Sequence, residues 1–134
     1  MISTKGRYGL RVMIDLAEHA DEGCIPLKEI ADRQGISKKY LEIIVKELVT
    51  ARLVSGVSGK GGGYRLCKRP EEYSVGEILE SLEGPMSPVA CLYTDAPPCD
   101  RASSCQTLPL WAEYDQLIHD FFFSKQLNEL TKQN

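Results

Sequence analysis

Residues 27–48, LKEIADRQGISKKYLEIIVKEL, constrain the fold more than any other part of this sequence. Apolar residues recur at helical spacing on both sides of Gly35, which predicts two short helices over 27–34 and 38–51. Gly35 interrupts the first helix, and Ser37 is a favourable N-cap for the second. Two helices joined by a short turn that contains glycine form the helix-turn-helix pattern.

A glycine-rich hairpin is predicted directly after this unit. Residues 53–54 and 64–66 are predicted strands on either side of the tip SGKGGG, residues 58–63. The tip does not match a phosphate-binding P-loop, because Lys60 is followed by glycines and a strand rather than by Ser or Thr and a helix. We therefore expect a winged helix-turn-helix, a mainly α fold with a small β-hairpin wing.

Three further helices are predicted over residues 4–20, 74–83 and 108–124. Ser74 and Glu77 have the spacing of a capping box at the start of the second of these. The last helix carries two apolar seams, Leu110, Tyr114, Leu117 and Phe121 on one and Leu108, Trp111, Ile118 and Phe122 on the other. A face this broad predicts a dimerisation helix that packs on its copy in a second subunit; the alternative is that it folds back on its own domain.

Charge divides the chain into two parts. Residues 1–70 carry thirteen Lys and Arg against eight Asp and Glu, and residues 71–134 carry three against eleven. The basic half favours a local nucleic-acid-binding surface, although such a split also arises by chance in a small protein. No apolar run approaches the roughly 18 residues that span a bilayer, and the N-terminus lacks the apolar centre of a signal peptide. We expect a cytoplasmic protein without membrane association.

Three cysteines, Cys91, Cys99 and Cys105, lie in a proline-rich segment that is predicted as a long loop. Clustered cysteines in a reducing compartment favour metal or redox chemistry over structural disulfides. Their spacings of seven and five residues are wider than those of most structural zinc sites. Zinc and a thiol–disulfide switch stay open as alternatives, but an iron–sulfur cluster held by thiolates is favoured.

The chain resembles the Rrf-type winged-helix transcription regulators from residue 2 to about 130. The resemblance rests on motifs in the same order: STKGRYGLRVMIDLA, IADRQGISKKYLEIIVKEL, GKGGGYRL, SVGEILESLEG and the cysteine loop that ends in LW. It implies a homodimeric repressor that binds a palindromic DNA operator, with a winged-helix domain over 1–83, a cluster loop over 84–106 and a dimerisation helix with its tail over 107–134. Members with the three cysteines, the IscR-like branch, hold an iron–sulfur cluster, here expected to be 2Fe-2S. Members without them respond through a partner protein.

A cluster of this type usually takes four protein ligands, and the familiar fourth ligands are absent here. In IscR-like members a histidine follows the last cysteine by three residues, and this chain has Leu108 there. In NsrR-like members an acid near the N-terminus of the other subunit serves, and this chain has Arg7 and Tyr8 in that region. A donor from the other subunit's first helix, a loop acid such as Asp95 or Asp100, and an exogenous ligand remain open.

DNA contacts are expected from the N-terminal residues of the second helix of the helix-turn-helix, which enters the major groove in such folds. These residues are Ser37, Lys38, Lys39, Tyr40 and Glu42. The lysines are suited to phosphates or guanine edges. The Glu42 carboxylate is suited to a cytosine amino group, and the resemblance implies that it helps to discriminate between sites. Its alternative is an ordinary solvent-facing glutamate.

Further DNA contacts are expected from the wing, at Ser58, Lys60 and Gly61, and from the start of the first helix. The residues in the first helix are Thr4, Lys5, Arg7 and Tyr8, which we expect to touch backbone phosphates. An enzyme is disfavoured, because the two histidines lie in separate helices and no nucleophile is paired with a base at an informative spacing. The alternative function is a regulator that acts through a partner enzyme with a thiol-based redox switch and no cluster.

Overall fold

The computed structural model describes residues 2–93, 97 and 100–132. The helices and strands are, in chain order, α1 Thr4–Glu18, α2 Leu27–Gln34, α3 Lys38–Thr50, β1 Val54–Val57, β2 Gly63–Leu66, α4 Val75–Glu83 and α5 Leu108–Ser124. Short 3₁₀ turns cover Ala20–Glu22, Pro70–Glu72, Ala90–Leu92 and Leu127–Leu130. The predicted fold class, a mainly helical protein with a small hairpin wing, is confirmed.

The turn of the helix-turn-helix forms through the two residues that the sequence indicated. Gly35 ends α2 in the left-handed conformation, with φ 65° and ψ 33°, and its amide bonds to the carbonyl of Ala31. The Ser37 hydroxyl caps α3 by accepting a hydrogen bond from the amide of Tyr40 at 3.1 Å. The direction of α3 relative to α2 is therefore set by local chemistry.

The wing is an antiparallel pair in which Val54 faces Leu66 and Val57 faces Gly63. The strands are longer than predicted, because the pairing extends toward the glycine-rich tip. The chain before α2 fixes the hairpin to the helices: Ile25 and Tyr64 exchange two backbone hydrogen bonds of 2.8 and 2.9 Å.

One hydrophobic core joins α1, α2, α3 and α4. Its largest fully buried side chains are Tyr73, Met13, Leu16, Ile30, Leu41, Ile44, Leu48, Ile78, Leu79, Leu127, Val12 and Val45. The buried residues of α3 are Leu41, Ile44, Val45 and Leu48, whose helical spacing in the sequence predicts that they line one face. Their burial fixes one face of α3 inward, and the opposite face is left to solvent.

The C-terminal tail docks beside α4 through its backbone. The amide of Val75 donates to the carbonyl of Lys125 at 2.8 Å, and the amide of Leu127 donates to the carbonyl of Tyr73 at 3.0 Å. The two leucines of the tail predict a short final turn that docks it, and the 3₁₀ turn Leu127–Leu130 does so through the buried Leu127, while Leu130 is 43% exposed. No helix in the described part of the chain is long and apolar enough to cross a membrane.

Candidate DNA-binding surface and cysteine loop

The first turn of α3 presents a polar surface. Ser37, Lys38, Lys39 and Glu42 are exposed, and Tyr40 is half-buried. The Ser37 hydroxyl is engaged in capping the helix, and the Tyr40 ring packs on Tyr8. Lys38 and Lys39 take part in none of the ion pairs found among residues 2–93, 97 and 100–132. Among the described residues, no carboxylate therefore competes with an outside anion for these two ammonium groups.

The start of α1 lies next to α3. The rings of Tyr8 and Tyr40 meet edge to face with centroids 5.8 Å apart, and the guanidinium of Arg11 lies 5.2 Å from the Tyr8 centroid. The Lys5 ammonium lies 3.0 Å from a carboxylate oxygen of Glu47 near the end of α3. Lys5 and Tyr8 are thus half-buried and occupied in packing α1 on α3.

Thr4 and Arg7 are the exposed members of the predicted set in α1. They lie one turn apart, and the Arg7 guanidinium donates a hydrogen bond to the Thr4 hydroxyl at 3.2 Å. The start of α1 therefore exposes one hydroxyl and one guanidinium.

The wing tip is exposed at Ser58, Lys60 and Gly61. Gly61 has φ 79°, a conformation that favours glycine. A Cβ at Gly62 would overlap the Val57 carbonyl, so the tight tip also requires glycine there. The tip therefore presents backbone and one lysine, without bulky side chains that would hold it away from a groove.

The cysteine loop is described at Cys91 and Cys105, whereas Cys99 and Asp95 lie outside the described residues. Cys91 is exposed on the turn Ala90–Leu92, and Asp100 is also exposed. Within the described ranges, no group of three or more His, Cys, Asp or Glu side chains is arranged to hold a metal ion. The described part of the loop contributes two free thiols.

Cys105 lies just before α5, where local hydrogen bonds favour its thiolate. Its sulfur lies 3.5 Å from the Thr107 hydroxyl. That hydroxyl and the backbone amides of Thr107 and Leu108 lower the pKa of the Cys105 thiol. The chemistry of this position suits a thiolate ligand or a reactive thiol.

The two seams of α5 differ in exposure. Leu110, Tyr114, Leu117 and Phe121 are 58, 49, 64 and 55% exposed. Trp111, Ile118 and Phe122 belong to the other seam and are half-buried. No residue of α5 is fully buried. The helix therefore rests on its own domain by one side and leaves an apolar stripe uncovered on the other.

Three features of the folded chain were missed by reasoning from the sequence. Asp15, on the inner side of α1, is buried and paired with Arg33. Glu83, at the end of α4, hydrogen-bonds to Ser3 before α1, eighty positions away. The sequence predicts Cys67 as a small buried or half-buried apolar residue, but it is exposed, at a cleft of about 590 Å³ between the wing and the 3₁₀ turn at residues 70–72. Helical spacing carries no signal for the first two, because they depend on which elements become neighbours.

Comparison with known proteins gives consistent matches along nearly the whole chain. The family described as Rrf2, iron-dependent transcriptional regulator, matches residues 2–133. The HTH-type transcriptional regulator IscR of Aliivibrio salmonicida is 38% identical over 133 residues, which are 99% of this chain and 78% of that protein.

Two solved structures match over 97% of this chain. CymR, the global cysteine regulator of B. subtilis, is 39% identical, with a TM-score of 0.77 and 95% of that chain covered. T. potens IscR is 37% identical, with a TM-score of 0.76 and 85% of that chain covered.

Proposed function

The chain belongs to the Rrf2 family of DNA-binding transcriptional regulators, and we propose that it is a homodimeric repressor whose cysteine loop senses iron–sulfur cluster or redox status. The observation that carries the DNA-binding part is the division of α3 into two faces. Leu41 and Ile44 are completely buried, while Lys38, Lys39 and Glu42 are exposed. The helix is held firmly by one face and offers charged side chains on the other.

Lys38, Lys39, Arg7 and Lys60 supply the phosphate contacts in this proposal, and Glu42 reads a base edge. Phosphate contacts give salt-dependent affinity without sequence information, and base contacts give specificity. Because Lys5 is held by Glu47, it also helps to fix α1 on α3. A palindromic operator follows from two copies of this surface related by the twofold axis of a dimer.

Dimerisation through α5 is supported by its exposed apolar seam. Four large side chains at positions 110, 114, 117 and 121 are each about half exposed or more. An uncovered stripe of this size favours association with a complementary surface, and a twofold dimer places the stripe against itself.

The sensing part of the proposal rests on the cysteine loop. Cys91, Cys99 and Cys105 would hold the cluster, and the low pKa of the Cys105 thiol suits thiolate ligation. A bound cluster supplies a redox-active group that oxidants destroy. The protein's own part is mechanical: residues 84–106 connect the end of α4 with the start of α5, so the conformation of the loop acts on both helices.

A regulator that acts through a partner enzyme with a thiol-based switch and no cluster is the second candidate. The favourable observation is again Cys105, whose thiol is both accessible and of lowered pKa, together with the exposed Cys91 in the same loop. Two such thiols are sufficient for a reversible disulfide.

Anaerobic purification separates the two candidates. We expect a coloured protein whose iron and sulfide contents match a cluster, and loss of colour and iron in Cys91→Ala, Cys99→Ala and Cys105→Ala. Cys24→Ala and Cys67→Ala are the matched controls and should retain both. A colourless, iron-free protein after anaerobic reconstitution, with a disulfide in the loop by mass spectrometry, contradicts the cluster and favours the switch.

DNA binding is tested with a duplex enriched from random-sequence DNA by repeated selection on the unmodified protein. Fluorescence anisotropy then gives affinity over a range of salt concentrations. The pair Lys38→Ala/Lys39→Ala should reduce the slope of log affinity against log salt by about two, whereas Lys28→Ala, an exposed lysine of α2, should not change it. An unchanged slope in the double variant contradicts the assignment of α3 as the DNA-facing helix.

A further inference from the structure

Glu83, the last residue of α4, lies against the beginning of α1. Its carboxylate accepts a hydrogen bond from the Ser3 hydroxyl at 2.7 Å and another from the Ser3 backbone amide at 2.5 Å. The Ser3 oxygen in turn accepts a hydrogen bond from the amide of Gly6 at 3.2 Å, as the N-cap of α1. The carboxylate, the cap and the first turn of the helix form one connected network. A negative charge near the N-terminus of a helix is stabilising.

The close contact of α1 with α4 requires glycine. A Cβ at Gly6 would overlap the Glu83 carboxylate, and a Cβ at Gly9 would overlap the side chain of Leu82. The end of α4 therefore approaches the backbone of α1 itself, and a small movement of Glu83 displaces the cap directly.

A second carboxylate connects α1 with α3. Both oxygens of Glu47 lie within 3.1 Å of the Lys5 ammonium. The first turn of α1 is thus held from two sides, by the end of α4 at Ser3 and by the end of α3 at Lys5. Thr4 and Arg7, the exposed α1 side chains of the predicted DNA-contacting set, belong to this turn and the one that follows it.

We propose that Glu83 is a positioning residue for DNA binding, which holds the first turn of α1 so that Thr4 and Arg7 meet the phosphate backbone. The inference deepens the proposed function and rests on it. It also gives the cysteine loop a direct route to the DNA-facing surface, because Gly84, with φ 79°, follows Glu83 as the first residue of the loop. A change in the backbone conformation of Gly84 therefore acts on the Ser3 cap of α1 through the Glu83 side chain alone.

The charge of Glu83 makes the proposal sharply testable. A carboxylate close to a DNA-binding surface repels phosphates, so electrostatics alone predicts that Glu83→Gln binds DNA more tightly. Positioning predicts the opposite sign, because the loss of the ionised acceptor weakens the cap and frees the first turn to move.

The experiment uses the same selected duplex and compares Glu83→Gln with Glu80→Gln. Glu80 is exposed on the same helix, so its substitution makes the same change of charge away from Ser3. We expect Glu83→Gln to bind about five- to tenfold more weakly, with a salt slope smaller by about one because one phosphate contact is lost. Glu80→Gln should bind within about twofold of the parent protein or slightly more tightly.

Hydrogen exchange supplies a readout that does not depend on DNA. The amides of Gly6 and Arg7 should exchange about five- to tenfold faster in Glu83→Gln, whereas those of the buried residues Ile44 and Leu48 should be unchanged. Ser3→Ala is the second variant: it should reproduce the weaker DNA binding, and the double variant should add little to it.

The two failures are distinguishable. If selection on the parent protein enriches no duplex, the proposed function fails. If the parent protein binds its duplex and Glu83→Gln binds it equally or more tightly, with unchanged exchange at Gly6 and Arg7, the positioning role of Glu83 is overturned while the proposed function stands.

Discussion

Arg33 of α2 holds Asp15 of α1 through two hydrogen bonds, from Nε at 3.0 Å and from Nη2 at 2.8 Å. Asp15 is 1% exposed, and the side-chain amide of Gln34 donates a third hydrogen bond to it at 2.9 Å. The hydrogen bond to Asp15 raises the pKa of the Arg33 guanidinium, so the pairing favours its charged form. This pair fixes the first helix of the chain on the helix-turn-helix.

We predict that Arg33→Leu lowers the free energy of unfolding by about 3 kcal/mol, because it leaves a buried carboxylate without its counter-charge. Glu29→Gln is the matched control: it removes the other carboxylate beside Arg33, which lies 3.6 Å away and is largely exposed. The control should cost less than about 0.5 kcal/mol. Urea unfolding measures both, and equal losses would contradict a special role for the buried partner.

The Tyr73 hydroxyl links the wing to the helices that follow it through hydrogen bonds. It donates to the Leu53 carbonyl at 2.5 Å and accepts from the amides of Cys67 and Lys68 at 2.8 and 3.1 Å. Tyr73→Phe removes all three hydrogen bonds and leaves the Cys67 amide and the Leu53 carbonyl only their longer contact of 3.4 Å, so we expect a loss of about 1–3 kcal/mol in urea unfolding. Tyr93→Phe, at a residue that is 38% exposed, should be neutral. An unchanged free energy of unfolding in Tyr73→Phe would contradict this role of the hydroxyl.

The buried Tyr73 hydroxyl should also contribute to the pH dependence of the free energy of unfolding at alkaline pH. Burial raises its pKa above the ordinary value of 10.0. The folded state therefore holds this proton more tightly than the unfolded state, so the contribution is complete below pH 10 and is lost as the pH rises toward the folded-state pKa. Stability of the parent protein should fall more steeply above pH 10 than that of Tyr73→Phe. If the free energies of unfolding of the two proteins fell in parallel with pH, the raised pKa of Tyr73 would be contradicted.

The local chemistry of the chain was sufficient to predict most of the fold. Gly35, Ser37 and Ser74 act on their immediate neighbours, so their roles as helix end and helix caps follow from a few adjacent residues. The same holds for the glycine-rich wing tip, where the need for a left-handed residue and for space is local. Helical spacing found the buried face of α3 for the same reason.

The long-range polar contacts could not be predicted, because their partners are far apart in sequence. Asp15 lies among apolar residues of α1, and its burial is tolerable only because α2 brings Arg33 beside it. Glu83 is an ordinary acidic residue at the end of a short helix until α1 places Ser3 against it. Lys5 and Tyr8 remain predicted DNA contacts, and their packing on α3 through Glu47 and Tyr40 is a further contact that the sequence did not indicate.

The contact between α4 and α5 depends on Gly76. A Cβ at this position would overlap the ring of Phe123, so the helices meet where one of them has no side chain. Replacing a helical glycine with alanine usually stabilises a protein by roughly 0.5–1 kcal/mol. Here we predict the opposite sign, a lower melting temperature for Gly76→Ala, with partial recovery in Gly76→Ala/Phe123→Leu. A higher melting temperature for Gly76→Ala would contradict the close contact between Gly76 and the Phe123 ring.

The exposed seam of α5 gives a prediction for assembly. Leu117 is 64% exposed, so Leu117→Lys should fold normally but replace the dimer with a monomer, since two lysines would face each other across a twofold interface. Gln116→Lys, at the adjacent exposed position, adds the same charge outside the seam and should remain dimeric. Sedimentation equilibrium measures both. A parent protein that is monomeric, or a dimeric Leu117→Lys, contradicts dimerisation through this seam.

Glu42 gives the sharpest prediction for sequence recognition, because removing a carboxylate has two separable effects on DNA binding. Loss of repulsion from the phosphates should tighten binding of Glu42→Ala to unrelated duplexes. Loss of a hydrogen bond to a cytosine amino group should weaken discrimination at one base pair of the selected duplex by about 1–3 kcal/mol. Anisotropy with a set of single-base variants separates these effects, and Glu80→Ala, away from the surface, should show neither. Uniformly tighter binding with discrimination unchanged at every base pair would leave Glu42 a solvent-facing charge and remove it from the recognition surface.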